Sequence, residues 1–157
     1  MGTEIERKFL VRGGKWRQGT PKRLRQGYLS RERERTVRIR IAGKRASLTI
    51  KGAGKGTARA EFEYPIPLRD AEELLALCDR KPLEKNRYTV KYARATWEID
   101  EFLGANKGLV VAEIELEDEQ QPFERPAWLS AEVSDDPRYL NSSLVDVPYS
   151  TWGQAPS

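Results

Sequence analysis

A period of two in side-chain character constrains this chain more than any other feature, because successive residues of a strand point to opposite faces. Over 35–42, Val37, Ile39 and Ile41 share one face, and Thr36, Arg38 and Arg40 share the other. Leu48 and Ile50 oppose Ser47, Thr49 and Lys51, and Phe62 and Tyr64 oppose Glu61 and Glu63. Tyr88, Val90 and Tyr92 oppose Lys85, Arg87, Thr89 and Lys91. Trp97 and Ile99 oppose Glu98 and Asp100, and Ile114 and Leu116 oppose Glu113, Glu115 and Glu117. Strands are therefore expected over 3–11, 23–32, 35–42, 45–51, 58–66, 85–93, 95–103 and 109–118. Gly13-Gly14, Gly52-Ala53-Gly54 and Gly104-Ala105-Asn106 interrupt them, with hairpin links near 43–44 and 52–57.

Two stretches read as helical. Residues 68–80 place Leu74, Leu75, Leu77 and Cys78 on one side, with Asp70 as the candidate N-cap. A weaker signal covers 126–145, as two short helices broken at Pro137. Many strands with few helices predict an antiparallel barrel or sandwich. The 157 residues suit one domain over 1–153, with a frayed end at 154–157.

A charged strand face ordinarily faces water. Here the signs segregate by strand: 35–42 and 85–92 carry cations, and 111–117 carries carboxylates. Arg is also favoured on the charged faces, and Arg suits bidentate oxyanion binding. A closed barrel would bring both sets into one lumen with room for a small ligand.

The chain has no histidine, which excludes imidazole bases, histidine-dependent triads and histidine-based zinc sites. The single cysteine, Cys78, excludes an intrachain disulfide and a thiolate zinc site, and suits a reducing compartment. Any metal must then be held by oxygen, which favours Mg²⁺ or Mn²⁺. No apolar run approaches the roughly 20 residues of a membrane helix, and no signal-peptide core opens the sequence. A cytoplasmic protein with no membrane partner is expected.

Glu4, Glu6 and Lys8 share a face of the first strand, with the carboxylates about 7 Å apart. Glu113, Glu115 and Glu117 repeat that spacing. Paired carboxylates hold a hard cation while leaving positions for phosphate oxygens and water. Two such ladders on one lumen would form a two-metal cage, with Arg38 and Arg40 able to clamp phosphate oxygens.

These segments also carry a resemblance. Thr3-Glu4-Ile5-Glu6-Arg7-Lys8-Phe9-Leu10-Val11 is followed by Leu24-Arg25-Gln26-Gly27-Tyr28-Leu29, Val37-Arg38-Ile39-Arg40 and Leu48-Thr49-Ile50-Lys51. Then come Glu61-Phe62-Glu63-Tyr64, Glu84-Lys85-Asn86-Arg87-Tyr88, Trp97-Glu98-Ile99-Asp100 and Ala112-Glu113-Ile114-Glu115-Leu116. In this order, from residue 3 to about 145, the chain resembles the CYTH superfamily of triphosphate tunnel metalloenzymes.

The resemblance implies an α+β chain dominated by β: an eight-stranded antiparallel closed β-barrel, a tunnel, with a few peripheral helices. It implies that Glu4, Glu6, Glu113 and Glu115, joined by Asp100, hold Mg²⁺ or Mn²⁺. It implies that Lys8, Arg38, Arg40, Lys51, Lys85 and Arg87 bind phosphate, and that Lys8 with Tyr28 assists water attack. Arg138-Tyr139-Leu140-Asn141-Ser142-Ser143-Leu144 resembles the family's plug helix. Leu140 and Ser142 stand where relatives often carry lysines, which leaves Arg138 as the substrate-binding cation expected there.

The activity implied is hydrolysis of inorganic triphosphate to pyrophosphate and phosphate. A thiamine or nucleoside triphosphatase, or a class IV adenylyl cyclase, is the alternative within the fold. The compact length leaves little chain for a base or thiazole pocket. A non-catalytic binder of polyphosphate or nucleic acid is the alternative of another class, although backbone binding would not explain carboxylates on the same faces. The expected partner is therefore a small anionic triphosphate and not nucleic acid; a homodimer is left open. Gly52-Ala53-Gly54-Lys55-Gly56-Thr57 lacks the spacing of a phosphate-binding P-loop and reads as a hairpin tip.

Overall fold

The computed structural model describes the backbone of residues 2–54 and 58–154, and the side chains of 5–54 and 58–153. The strands are β1 (Gly2–Val11), β2 (Lys22–Ser30), β3 (Arg35–Ala42), β4 (Arg45–Gly52) and β5 (Ala58–Ile66). They continue as β6 (Leu83–Tyr92), β7 (Ala95–Phe102), β8 (Val110–Glu115) and β9 (Leu129–Glu132). Their order is β5-β4-β3-β2-β6-β7-β8-β1, and β1 pairs again with β5, closing eight antiparallel strands into a barrel. One stretch of β1, Gly2–Ile5, pairs with β5; the next, Glu6–Leu10, pairs with β8. The ninth strand adds to β1 beyond the reach of β5, with Phe9 opposite Glu132 and Val11 opposite Leu129.

The alternation decides which face is inside, and this barrel is apolar without and polar within. Helix α1 (Leu68–Leu77) lies on the outside, where Ala71 and Leu75 pack on Ile39, Ile41 and Ala46. Gly27 on β2 lets the helix approach: a Cβ there would sit 2.9 Å from Leu75 Cδ2 and 3.0 Å from Cys78 Sγ. The outer faces of β1, β6, β7 and β8 contribute Phe9, Tyr88, Val90, Trp97, Ile99 and Ile114, covered by Trp16, Trp128, Leu129 and Phe123. Trp97 makes edge contacts with Phe9, Phe123 and Trp128 at centroid distances of 5.6–5.7 Å.

The third apolar cluster lies at one end of the barrel. Leu83 shares the parity of Lys85 and Arg87, and Phe102 that of Glu98 and Asp100. With Leu109 and Val111 they receive Leu144 from the short helix α2 (Asn141–Leu144). The lumen thus runs from a charged mouth to an apolar floor, which α2 seals.

Three local expectations differ from the structure. The stretch 126–136 is not helical: it pairs with β1, with Arg12 N–H donating to the Trp128 carbonyl at 2.8 Å and Val133 N–H to the Lys8 carbonyl at 2.8 Å. The N-cap of α1 is Pro67, and Asp70 lies inside the first turn. Leu77 is 72% exposed, because Ala71, Leu74, Leu75 and Cys78 already complete the buried stripe and Leu77 falls outside it. The hairpin tip at 55–57 and the tail at 155–157 lie outside the described residues. Among the described residues no helix is long and apolar enough to cross a membrane.

Candidate active site

The inward residues enclose a cavity of about 230 Å³. Glu6 and Lys8 of β1 reach it, with Tyr28 of β2, and Thr36, Arg38 and Arg40 of β3. Thr49 and Lys51 of β4 follow, then Arg59, Glu61 and Glu63 of β5. Lys85, Arg87, Glu98, Glu113 and Glu115 complete the strand wall, and Leu140, Asn141 and Ser142 come from the plug. Strand parity is the reason these charges meet: each is an alternate residue on a strand whose other face is needed by the outer core.

At one end the carboxylates crowd. Glu6 is opposite Glu115, and Lys8 is opposite Glu113, across β1 and β8. Glu113 is also opposite Glu98 across β7 and β8. Lys8 Nζ lies 3.9 Å from Glu113 Oε1. Burial, and then the charge of Glu6, push the Glu113 carboxyl up, and Lys8 only partly offsets them. Burial would lower Lys8, yet the charges of Glu113 and Glu6 outweigh it and its ammonium is held above its ordinary range. Among the described residues no three acidic, histidine or cysteine side chains are already gathered in a closed metal-ligand cluster. Glu4 sits in the β1–β5 register opposite Arg59, and its side chain lies outside the described residues.

Next to these carboxylates a buried cluster is organised around Asp100, and its partner Arg87 also lies 3.3 Å from Glu98. The Asp100 carboxylate accepts from Lys85 Nζ at 2.6 Å and from Arg87 Nε and Nη2 at 2.7 and 2.9 Å. Burial alone would raise this carboxyl, but the charges of Lys85 and Arg87 hold it well below the usual carboxylate range. Lys85 is pulled down to about 7, by burial first and then by Arg87 and Arg40, against the pull of Asp100. Asp100 is 1% exposed. Asp100 lies behind the cavity wall with its oxygens committed to Lys85 and Arg87, whereas Glu6, Glu113 and Glu115 form part of that wall.

Two further arginines, Arg38 and Arg40, line the cavity. Arg38 Nη2 donates to Thr49 Oγ1 at 3.0 Å, and that hydroxyl donates to Glu63 at 3.1 Å. Among the described residues, the buried Nε of Arg38 has no hydrogen-bond partner. Arg40 Nε donates to Gln26 Oε1 at 2.9 Å, and Arg40 is lowered to about 10 by burial and by Arg38 and Arg87. Lys51 Nζ lies 3.7 Å from Glu61.

Of the residues expected at the site, Glu6, Lys8, Tyr28, Arg38, Arg40, Lys51, Lys85, Arg87, Glu113 and Glu115 line one cavity. Arg138 is not brought there. Its guanidinium is tied to Asp136 at 2.7 Å and stacks 4.9 Å from the Trp152 ring, on the outside. The plug reaches the cavity through Asn141 instead, whose Oδ1 accepts from Lys85 Nζ at 2.9 Å. Arg59 also lines the cavity, and it shares the parity of Glu61 and Glu63, a signal present in the alternation of β5. Gln26 and Asn141 carry no charge and gave no such signal.

A model of the CYTH domain matches residues 2–147. An inorganic triphosphatase of Acetivibrio thermocellus is 48% identical over 151 residues, covering 95% of this chain and 97% of that protein. One from Nitrosomonas europaea is 36% identical over 147 residues, covering 91% and 97%. A crystal structure of an inorganic triphosphatase superposes with a TM-score of 0.64 at 32% identity, covering 90% of this chain and 96% of that one.

Proposed function

The chain belongs to the CYTH domain family, and from that premise we propose that it hydrolyses inorganic triphosphate to pyrophosphate and phosphate with the help of a divalent cation, Mg²⁺ or Mn²⁺. The observation that carries this reading is the balance of charge in the cavity. Among the described residues, seven cationic and six carboxylate side chains line it. A site for a highly charged anion alone would not keep so many carboxylates. Added cations at the carboxylate end would leave the lysines and arginines free to bind phosphate oxygens.

The donor set fits a hard cation. Glu6, Glu113 and Glu115 offer only oxygen, and the Glu113 carboxyl is raised by burial first and then by Glu6, a repulsion that a cation would offset. Glu4 is the fourth carboxylate proposed for it, from its place two residues before Glu6. Asp100 is proposed as the anchor of Lys85 and Arg87 in place of a metal ligand, because both its oxygens already accept from them. When bound, the cation would polarise phosphate oxygens and make a coordinated water easier to deprotonate.

The protein's own residues position and stabilise. Arg38 and Arg40 clamp non-bridging oxygens, and Lys51, Arg59, Lys85 and Arg87 neutralise the remainder of the chain. Water attacks a terminal phosphorus while the bridging P–O bond breaks; the pyrophosphate oxygen takes the leaving electron pair, and the proton lost by the water passes to a lumen carboxylate and on to solvent. Lys8 and Tyr28, both on the cavity wall, orient that water by hydrogen bonding. The floor formed by Leu83, Phe102 and Leu144 and the small cavity leave little space for a nucleoside, since drug-sized ligands occupy about 300–1,000 Å³. A cytoplasmic setting agrees with the single cysteine.

Phosphate release from tripolyphosphate, ATP and pyrophosphate, with Mg²⁺ or Mn²⁺, tests the assignment. Tripolyphosphate should be the fastest. Pyrophosphate should be poor, being too short to reach both the carboxylate end and Lys85. Equal efficiency on ATP would make the enzyme a nucleoside triphosphatase, and no release with either metal would make the protein a binder.

A further inference from the structure

Gln26 is completely buried and is not part of the cavity wall, yet it bonds three residues that are: Arg40, Tyr28 and Asn141. We propose that Gln26 is a positioning residue, which directs the Tyr28 hydroxyl hydrogen and the Arg40 guanidinium into the space the substrate fills. This rests on the triphosphatase reading for what the two groups do, and on the hydrogen bonds for how they are held.

The orientation of the amide follows from donor chemistry. Arginine has donors only, so the Gln26 oxygen must face Arg40 Nε, 2.9 Å away. The amide nitrogen is thereby turned toward Tyr28 Oη at 3.0 Å and Asn141 Oδ1 at 3.4 Å. The Asn141 amide is fixed in the same way, because the Gln26 amide nitrogen has donors only and must meet the Asn141 oxygen, which also accepts from Lys85 Nζ. Both hydrogens of the Gln26 amide are therefore assigned.

Tyr28 Oη accepts from Gln26 and keeps its own hydrogen to give. Tyr28 is 7% exposed, and its hydroxyl hydrogen bonds no acceptor among the described residues. Tyr28 borders the cavity, so that hydrogen is directed at substrate or at the attacking water. For Arg40, tying Nε to one side leaves the terminal nitrogens as the free edge of a planar fork, the geometry suited to phosphate oxygens. A merely space-filling residue here would leave Arg40 Nε without its acceptor and Tyr28 free to rotate. The link through Asn141 also joins this arrangement to the plug.

The test uses the whole protein and two readouts: tripolyphosphate binding by calorimetry in EDTA, and phosphate release with Mg²⁺. Gln26→Met should lower kcat about tenfold and weaken metal-free binding about fivefold, with these losses not independent of the groups it positions. In a Tyr28→Phe background the same substitution should cost less than about twofold further in kcat, and in an Arg40→Gln background less than about twofold further in affinity. Gln26→Glu keeps an acceptor for Arg40 but draws the Tyr28 hydrogen to itself; it should lose kcat similarly, and serves if Gln26→Met does not fold. Independent, multiplicative losses in both backgrounds, or wild-type values for the folded single variants, would overturn the proposal. If the wild type binds tripolyphosphate but releases no phosphate, the hydrolase reading fails, and the Arg40 binding cycle still decides whether Gln26 positions that residue.

Discussion

The Lys85 ammonium lies 2.6 Å from an Asp100 carboxylate oxygen, and the side chains are only 1% and 2% exposed. Arg87 adds its Nε to the same carboxylate at 2.7 Å. Removing the carboxylate would leave Lys85 without its counter-ion in a low-dielectric wall and Arg87 with Glu98 alone among the described residues, 3.3 Å away. Asp100→Asn should therefore lower unfolding free energy by about 3–5 kcal/mol, the usual consequence of breaking a buried ion pair from one side. The sign of the pH dependence follows from the depressed carboxyl. In the window below its unfolded value of about 3.9, the unfolded chain binds more protons than the folded one, so stability falls as pH falls. The contribution is complete above that value. Urea titrations of wild type and Asp100→Asn from neutral to acid pH should converge toward the acid end; a constant difference would refute the linkage.

Glu113 should behave in the opposite sense. Burial and Glu6 hold its carboxyl up, so the folded protein retains a proton that the unfolded chain has lost, and this group's contribution falls as pH rises from about 4.3. Glu113→Gln should stabilise the metal-free protein at neutral pH by about 1 kcal/mol, or roughly 2–4 °C in Tm. The same variant should show a smaller thermal shift on adding Mg²⁺. Loss of stability without metal would mean that the Lys8 contact outweighs the repulsion.

Turnover should depend on the carboxylate end. Glu6→Gln and Glu4→Gln should stay folded and lose at least about 100-fold in kcat/KM with Mg²⁺. Excess EDTA should stop the wild type. Full turnover in EDTA would contradict the metal assignment.

Strand faces were legible because parity is a local property: once Ile39 is outside, Arg38 and Arg40 must be inside. Closure of the barrel is not local, since it depends on β1 pairing with both β5 and β8. The strand β9 differs from the helix expected there for the same reason: Leu129 gains its partner from Val11, more than a hundred residues away. Arg138 looked like a site cation because sequence shows the charge but not its capture by Asp136. Nothing in the sequence marks Gln26, because a neutral amide becomes informative only through what it touches.

The β6–β7 hairpin turns on Ala93 and Arg94, with φ of 47° and 70°. Two left-handed residues in succession are what a two-residue type I′ turn requires, and Asn-Gly suits them far better than Ala-Arg. The double substitution Ala93→Asn, Arg94→Gly should raise stability by about 0.5–1 kcal/mol after allowance for glycine's greater freedom when unfolded. Chemical denaturation would detect the gain. Unchanged or lower stability would show that the tip is held by contacts of the native side chains.

Binding and water attack should separate in kinetics, since Arg38 and Tyr28 border the same cavity with different tasks. Among the described residues Arg38 has a buried Nε without a hydrogen-bond partner, a terminal nitrogen on Thr49 and only a 3.6 Å approach to Glu63, so it can turn to phosphate oxygens before and during the reaction. Arg38→Ala should raise KM and lower kcat, costing about 2–4 kcal/mol in kcat/KM. Tyr28 offers one hydroxyl hydrogen, which matters most as water attacks. Tyr28→Phe should lower kcat while leaving KM nearly unchanged. A silent Tyr28→Phe would reduce Tyr28 to a wall residue and leave Lys8 alone to orient the water. An Arg38→Ala effect confined to KM would show instead that Arg38 grips substrate and transition state equally.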